Sequence, residues 1–108
     1  MEPARVKLVW FVPLSHLEAT RDAVFAAGGG AIGGYRRCSF WTVGTGSFHG
    51  TEGTEPAVGV AGREERVTEA RVETVVPWAR VGAVVDALRD AHPYEEPAFD
   101  LLPLLEIG

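Results

Sequence analysis

"FVPLSHLEATRDAVFAA" (residues 11–27) and "VVPWARVGAVVDALRDA" (residues 75–91) are two versions of one pattern. Laid on each other, they bring Val12-Pro13 onto Val76-Pro77, Ala19 onto Ala83, Asp22 onto Asp86, Ala23 onto Ala87 and Ala27 onto Ala91. Each half of the chain therefore reads strand, proline, helix, strand. Two such split βαβ units, interleaved, give an α+β ferredoxin-like βαββαβ sandwich: an antiparallel four-stranded sheet with two helices on one face.

Working outward from the repeat, residues 5–12 place Val6, Leu8, Trp10 and Val12 on one side and Val9 and Phe11 on the other. That pattern fits a central strand covered on both faces. After Pro13, Ser15 as N-cap and Glu18 three residues on predict a capping box opening a helix over 15–27. Its apolar stripe is Leu14, Leu17, Val24 and Phe25, with Arg21 intruding, and Gly28 to Gly30 close it. A second strand is expected over 36–45, followed by a glycine-rich loop over about 44–63, and a third strand over 66–76. Trp78, Val81, Val84, Val85, Leu88 and His92 share one stripe of a second helix. A last strand over 98–105 carries Pro103, which marks an edge.

The 108 residues, 46% of them hydrophobic, suffice for one core and read as a single domain over 1–108. A net charge of −5 and the lack of a basic stripe exclude a nucleic-acid partner. The apolar run after Lys7 is too short for a signal peptide or a membrane span, so the expected location is the cytoplasm. Covering only one sheet face with helices leaves Val9, Phe11, Val75, Trp41 and Leu102 or Leu104 without cover. The expectation is therefore a homo-oligomer that packs those faces together.

"GGGAIG" spells GxGxxG at Gly28, Gly30 and Gly33, but these glycines close a helix instead of opening one, so the dinucleotide reading fails. "TVGTGSFHG" lacks the lysine and hydroxyl of a phosphate loop. It reads as a bent hairpin or as a ligand lip, with His49 and Glu52 able to close over an anion or metal. His16, His49 and His92 have no metal-cage spacing. In "AHPYEEPAFD", residues 91–100, Pro93 ends the helix and Pro97 aims the last strand. His92 is either a core histidine capping the helix, bonded to a helix carbonyl or to Glu95, or part of a cleft with Tyr94 and Glu95. Glu95 and Glu96 diverge once the strand begins, so they do not form an acid–base pair. No nucleophile has a partner base, and Cys38 has no activating charge beyond Arg36 and Arg37. The chain reads as non-enzymatic.

With these motifs in hand, the chain resembles the insert domain of the Nif-three-like family, also called type-2 GTP cyclohydrolase I homologues, here standing alone. The Gly-x-Tyr-x-x-Cys-Ser-Phe run falls on Gly33, Tyr35, Cys38, Ser39 and Phe40, and the His-Pro-Tyr-Glu-Glu-Pro run on His92 through Pro97. A shorter form of the second run is similar to one in CutA divalent-cation-tolerance proteins, and both groups resemble PII signal proteins. The resemblance implies a PII/CutA-like fold and a trimer, a dimer being the alternative. The family's dinuclear metal site lies outside the insert, so its hydrolase chemistry is not carried over. By analogy, the expected function is a regulatory module binding a small ligand, a small anion or a divalent metal ion. Its expected site is His92, Tyr94, Glu95, Glu96, Tyr35, Cys38, Ser39 and His49, with no cofactor otherwise. The rivals are docking onto another protein through the sheet face, or service as an accessory to a metal-dependent hydrolase.

Overall fold

The structure is a computed structural model and describes residues 2–107. Strands β1 (Arg5–Pro13), β2 (Phe40–His49), β3 (Glu64–Pro77) and β4 (Phe99–Pro103) form one sheet in the order β2-β3-β1-β4, every neighbouring pair antiparallel. Helices α1 (Leu17–Ala26) and α2 (Val81–Ala91) connect β1 to β2 and β3 to β4. Each crossover skips one strand, which is the interleaving that the repeat predicts.

The repeat extends to backbone detail. Pro13 (φ −62°, ψ 148°) and Pro77 (φ −59°, ψ 141°) end their strands alike, and each leads into a three-residue 3-10 turn, Leu14–His16 and Trp78–Arg80. This geometry corrects two expectations. Proline starts the turn early, so Ser15 lies inside it instead of capping a helix; its Oγ bonds the His16 ring at 2.8 Å, and Glu18 pairs with Arg21 at 2.7 Å. Neither helix carries a side-chain cap. Leu14 and Trp78 also leave the core stripe, because the tighter winding rotates them outward; they are 47% and 40% exposed.

Val6, Leu8, Trp10 and Val12 of β1 pack with Ala70, Val72 and Val76 of β3 against Val24, Val84 and Leu88 from the helices. Trp10 is wholly buried, and its indole N–H donates to Thr20 Oγ1 at 3.0 Å. Thr20, a core position the apolar stripe did not include, turns its own hydroxyl hydrogen to the carbonyls of His16 and Leu17 at 2.9 and 3.0 Å. Every polar atom of this buried pair is thereby satisfied.

β2 begins at Phe40, four residues later than expected. A small turn uses up the preceding chain: Ile32 and Tyr35 bridge, and Arg37 takes the left-handed region at φ 58°. Gly30 sits at φ 85°, where a Cβ would come within 2.6 Å of the Phe25 ring, so this position admits only glycine without a shift. β2 then runs through Gly44 and Gly46 to His49, because the 14-residue β3 offers a partner as far as Glu64, and the loop shortens to residues 50–63.

Register also corrects the faces. Trp41 pairs with Val72 and so lies on the helix side, where the Arg21 guanidinium stands 4.6 Å from its ring centroid. The open face is not uniformly apolar. Val9, Phe11, Val75, Phe40 and Leu102 share it with Lys7, Glu69, Arg71 and Glu73, and Glu73 pairs with both Lys7 (3.5 Å) and Arg71 (3.3 Å).

Candidate functional site: a cleft at the His-Pro-Tyr-Glu-Glu-Pro joint

Pro93 forces His92 out of helical geometry, to φ −81° and ψ 137°, and α2 stops at Ala91. The imidazole, 6% exposed, turns back onto β1. Its Nε2 donates to the Phe11 carbonyl at 2.7 Å while Nδ1 accepts the Tyr94 amide at 3.1 Å. Both ring nitrogens are thus engaged, which selects the neutral Nε2–H form. Burial holds the His92 pKa below the usual 6.5, against the opposing pull of the Phe11 carbonyl and the Glu69 charge. Of the two alternatives for His92, the structural one matches this geometry, but its partners are a strand carbonyl and the joint's own amide, not a helix carbonyl or Glu95.

The turn so fixed aims Tyr94 across the end of the sheet. Its ring lies 4.9 Å from His92 and 6.0 Å from Phe48, centroid to centroid, and its hydroxyl donates to Glu69 Oε2 at 2.9 Å. Burial first, then the bond to Glu69 and its charge, push the Tyr94 pKa far above the ordinary tyrosine range. Gly46 completes the arrangement: a Cβ there would collide with the Glu69 carboxylate.

Around this core opens a cleft of about 550 Å³. Its floor is Phe11 and Glu69. One wall is the end of β2, Gly46 to His49, continued by Gly50, Thr51, Thr54, Pro56 and Ala57 of the loop; the other is Tyr94, Glu95, Glu96 and Ala98.

Of the expected site residues, Tyr94, Glu95, Glu96 and His49 line this cleft, and His92 braces it from beneath. Tyr35, Cys38 and Ser39 lie elsewhere. Cys38 is anchored by its amide, which donates to the Gly30 carbonyl at 2.8 Å, and by the Thr74 hydroxyl on its carbonyl at 2.6 Å, and Ser39 Oγ accepts from Arg21 at 3.4 Å. Thr74 is five strand residues from Glu69, about 16 Å along β3. Tyr35 is 77% exposed on its turn. Phe11, Phe48 and Glu69 are cleft residues that sequence reasoning did not single out. A signal existed for Glu69, an acid alternating with Ala70 and Val72 and hence aimed at the open face. Among the described residues no group of three or more His, Cys, Asp or Glu side chains is arranged to hold a metal ion.

The fold is a ferredoxin-like α+β fold similar to that of PII and CutA proteins. CutA1 from Shewanella sp. SIB1 superposes with a TM-score of 0.72 at 14% identity, covering 100% of this chain and 88% of its own. GlnK from B. subtilis does so with 0.61 at 13% identity, over 93% and 84%. At such identities the likeness is one of fold. No family model matches the chain. The closer likeness is to longer proteins: the chain is homologous to a segment of the Nif-three-like GTP cyclohydrolase 1 type 2 homologues. It is 50% identical over 99 residues to the GTP cyclohydrolase 1 type 2 homolog of Mycobacterium leprae, covering 92% of this chain and 26% of that one. A Bacillus cereus protein related to NIF3 superposes with a TM-score of 0.82 at 42% identity, over 96% of this chain and 26% of that one. The chain spans about a quarter of the length of these relatives.

Proposed function

We propose that the chain works as a non-enzymatic module that binds a small ligand in the cleft between the loop over 50–63 and the joint. The observation that carries this reading is the convergence of four separate segments on a preformed concavity, where Glu69 of the floor is held by Tyr94 and given room by Gly46. The chemistry of the joint supports binding over proton transfer. His92 has both nitrogens committed, and Tyr94 holds its proton far beyond neutral pH. Glu95 and Glu96 are exposed and free to meet a ligand.

The module acts as a homo-oligomer in this reading. Phe40 at 64% and Leu102 at 47% exposure stand on the open face around the Lys7–Glu73–Arg71 charges, a mixed surface suited to a specific partner copy. Service as an accessory to a GTP cyclohydrolase-like hydrolase is the rival, suggested by the name of the relatives, GTP cyclohydrolase 1 type 2 homolog. Two-dimensional NMR titration with a panel of small amines, carboxylates and divalent ions tests the binding reading. Shifts confined to residues 46–57 and 94–98 support it, and a panel that leaves those amides unmoved defeats it. Sedimentation equilibrium tests the assembly, which a monomer at millimolar concentration would disprove.

A further inference from the structure

Resting on the reading of the cleft as a small-ligand site, we propose its chemical class of ligand: an organic cation, a primary ammonium or guanidinium carried on a flat apolar body. The charge of the lining is one-sided. Glu69, Glu95 and Glu96 line the cleft, and neither lysine nor arginine does. An anion would meet three carboxylates with no counter-charge, within a chain whose net charge is already −5.

The walls favour an organic cation over a bare metal ion. Phe11, Phe48 and Tyr94 line the cleft, and aromatic rings attract a weakly hydrated cation while giving a metal ion no ligand. Glu69 offers the anchoring acceptor. Tyr94 takes one lone pair of Oε2, Oε1 rests in the space that a Gly46 Cβ would fill, and among the described residues the carboxylate accepts no other side-chain hydrogen bond.

The chain already carries out this recognition on itself. The Arg71 guanidinium stands 5.8 Å from the centroid of the Phe11 ring, on the flank of the same floor, with its charge balanced by Glu73 at 3.3 Å. Phe11 thus meets a cation–carboxylate pair on its Arg71 flank. The cleft offers a second set of the same parts, with the acids in place and the cation left to the ligand.

Three probes of similar shape test the proposal by NMR at pH 8: 2-phenylethylamine as cation, 2-phenylethanol as neutral and 3-phenylpropionate as anion. The amine is expected to move the amides of residues 46–50 and 94–98 and to bind about tenfold tighter than the alcohol. The carboxylate should not bind. Glu69→Gln should weaken the amine about tenfold and leave the alcohol unchanged. Equal affinity for amine and alcohol, or preference for the carboxylate, overturns the charge class while leaving the cleft as a ligand site. If none of the three moves those amides, the class proposal falls together with the reading beneath it.

Discussion

The Tyr94 hydroxyl donates to the Glu69 carboxylate at 2.9 Å and so ties the joint that follows α2 to the open face of β3, 25 residues away in sequence. This bond closes one side of the cleft and positions the carboxylate on its floor. Tyr94→Phe keeps the ring contacts with His92 and Phe48 and removes only the tie. Its expected cost is about 1 kcal/mol, since the pair is part-buried and the acceptor is charged. Urea denaturation measures it, and a variant as stable as the parent would show that water replaces the bond without loss.

Gly46→Ala displaces the Glu69 carboxylate without touching the core. The side chain is flexible at that end, so stability should change by no more than about 1 kcal/mol. The readout is Tyr94. Freed from Glu69, it should ionise at lower pH than in the parent, as followed by ultraviolet absorbance. An unaltered titration curve would mean that Glu69 does not hold the tyrosine.

His92 makes stability depend on pH. Its folded-state pKa lies below the unfolded value of 6.5, so the unfolded chain binds the proton more readily. The contribution of His92 is therefore fully present above pH 6.5 and is lost as pH falls below it, through the depressed folded value. Protonating Nδ1 breaks the acceptor contact with the Tyr94 amide. His92→Asn should lower stability by about 1 to 3 kcal/mol at pH 7.5 and flatten the dependence below pH 6.5. Parallel pH profiles for parent and variant would refute the assignment.

Thr20→Val keeps the shape of the side chain and strands the Trp10 indole N–H in the core. The expected loss is about 1 to 3 kcal/mol, measured by thermal or chemical unfolding. A neutral outcome would require the indole to have found another acceptor.

Much of the fold was legible because its signals are local or repeated. The offset between the two proline-helix stretches sets the connectivity. The apolar stretch from Leu8 to Val12, with Val6 before it and Lys7 on the open face, marks the central strand. The stripe Val84, Leu88, His92 was correctly read as buried. The errors are instructive. Ser15 and Glu18 spell a capping box that Pro13 pre-empts by starting the turn early. Gly44 and Gly46 suggest a strand end, yet the length of β3 carries the ladder on to His49.

By itself, the sequence determined the α+β class, the strand and helix order, and the end of α2 before Pro93, because periodicity, proline geometry and an internal repeat act over a few residues each. Only the tertiary structure decided which side chains share the cleft. Glu69, Phe48 and Phe11 join Tyr94 through the register of β1, β2 and β3, and shifting that register by one residue would send each to the other face. Tyr35, Cys38 and Ser39, as suggestive in the linear chain as Tyr94, fall outside it because they precede β2, Tyr35 on the Ile32–Tyr35 turn and Cys38 held beside Gly30 and Thr74.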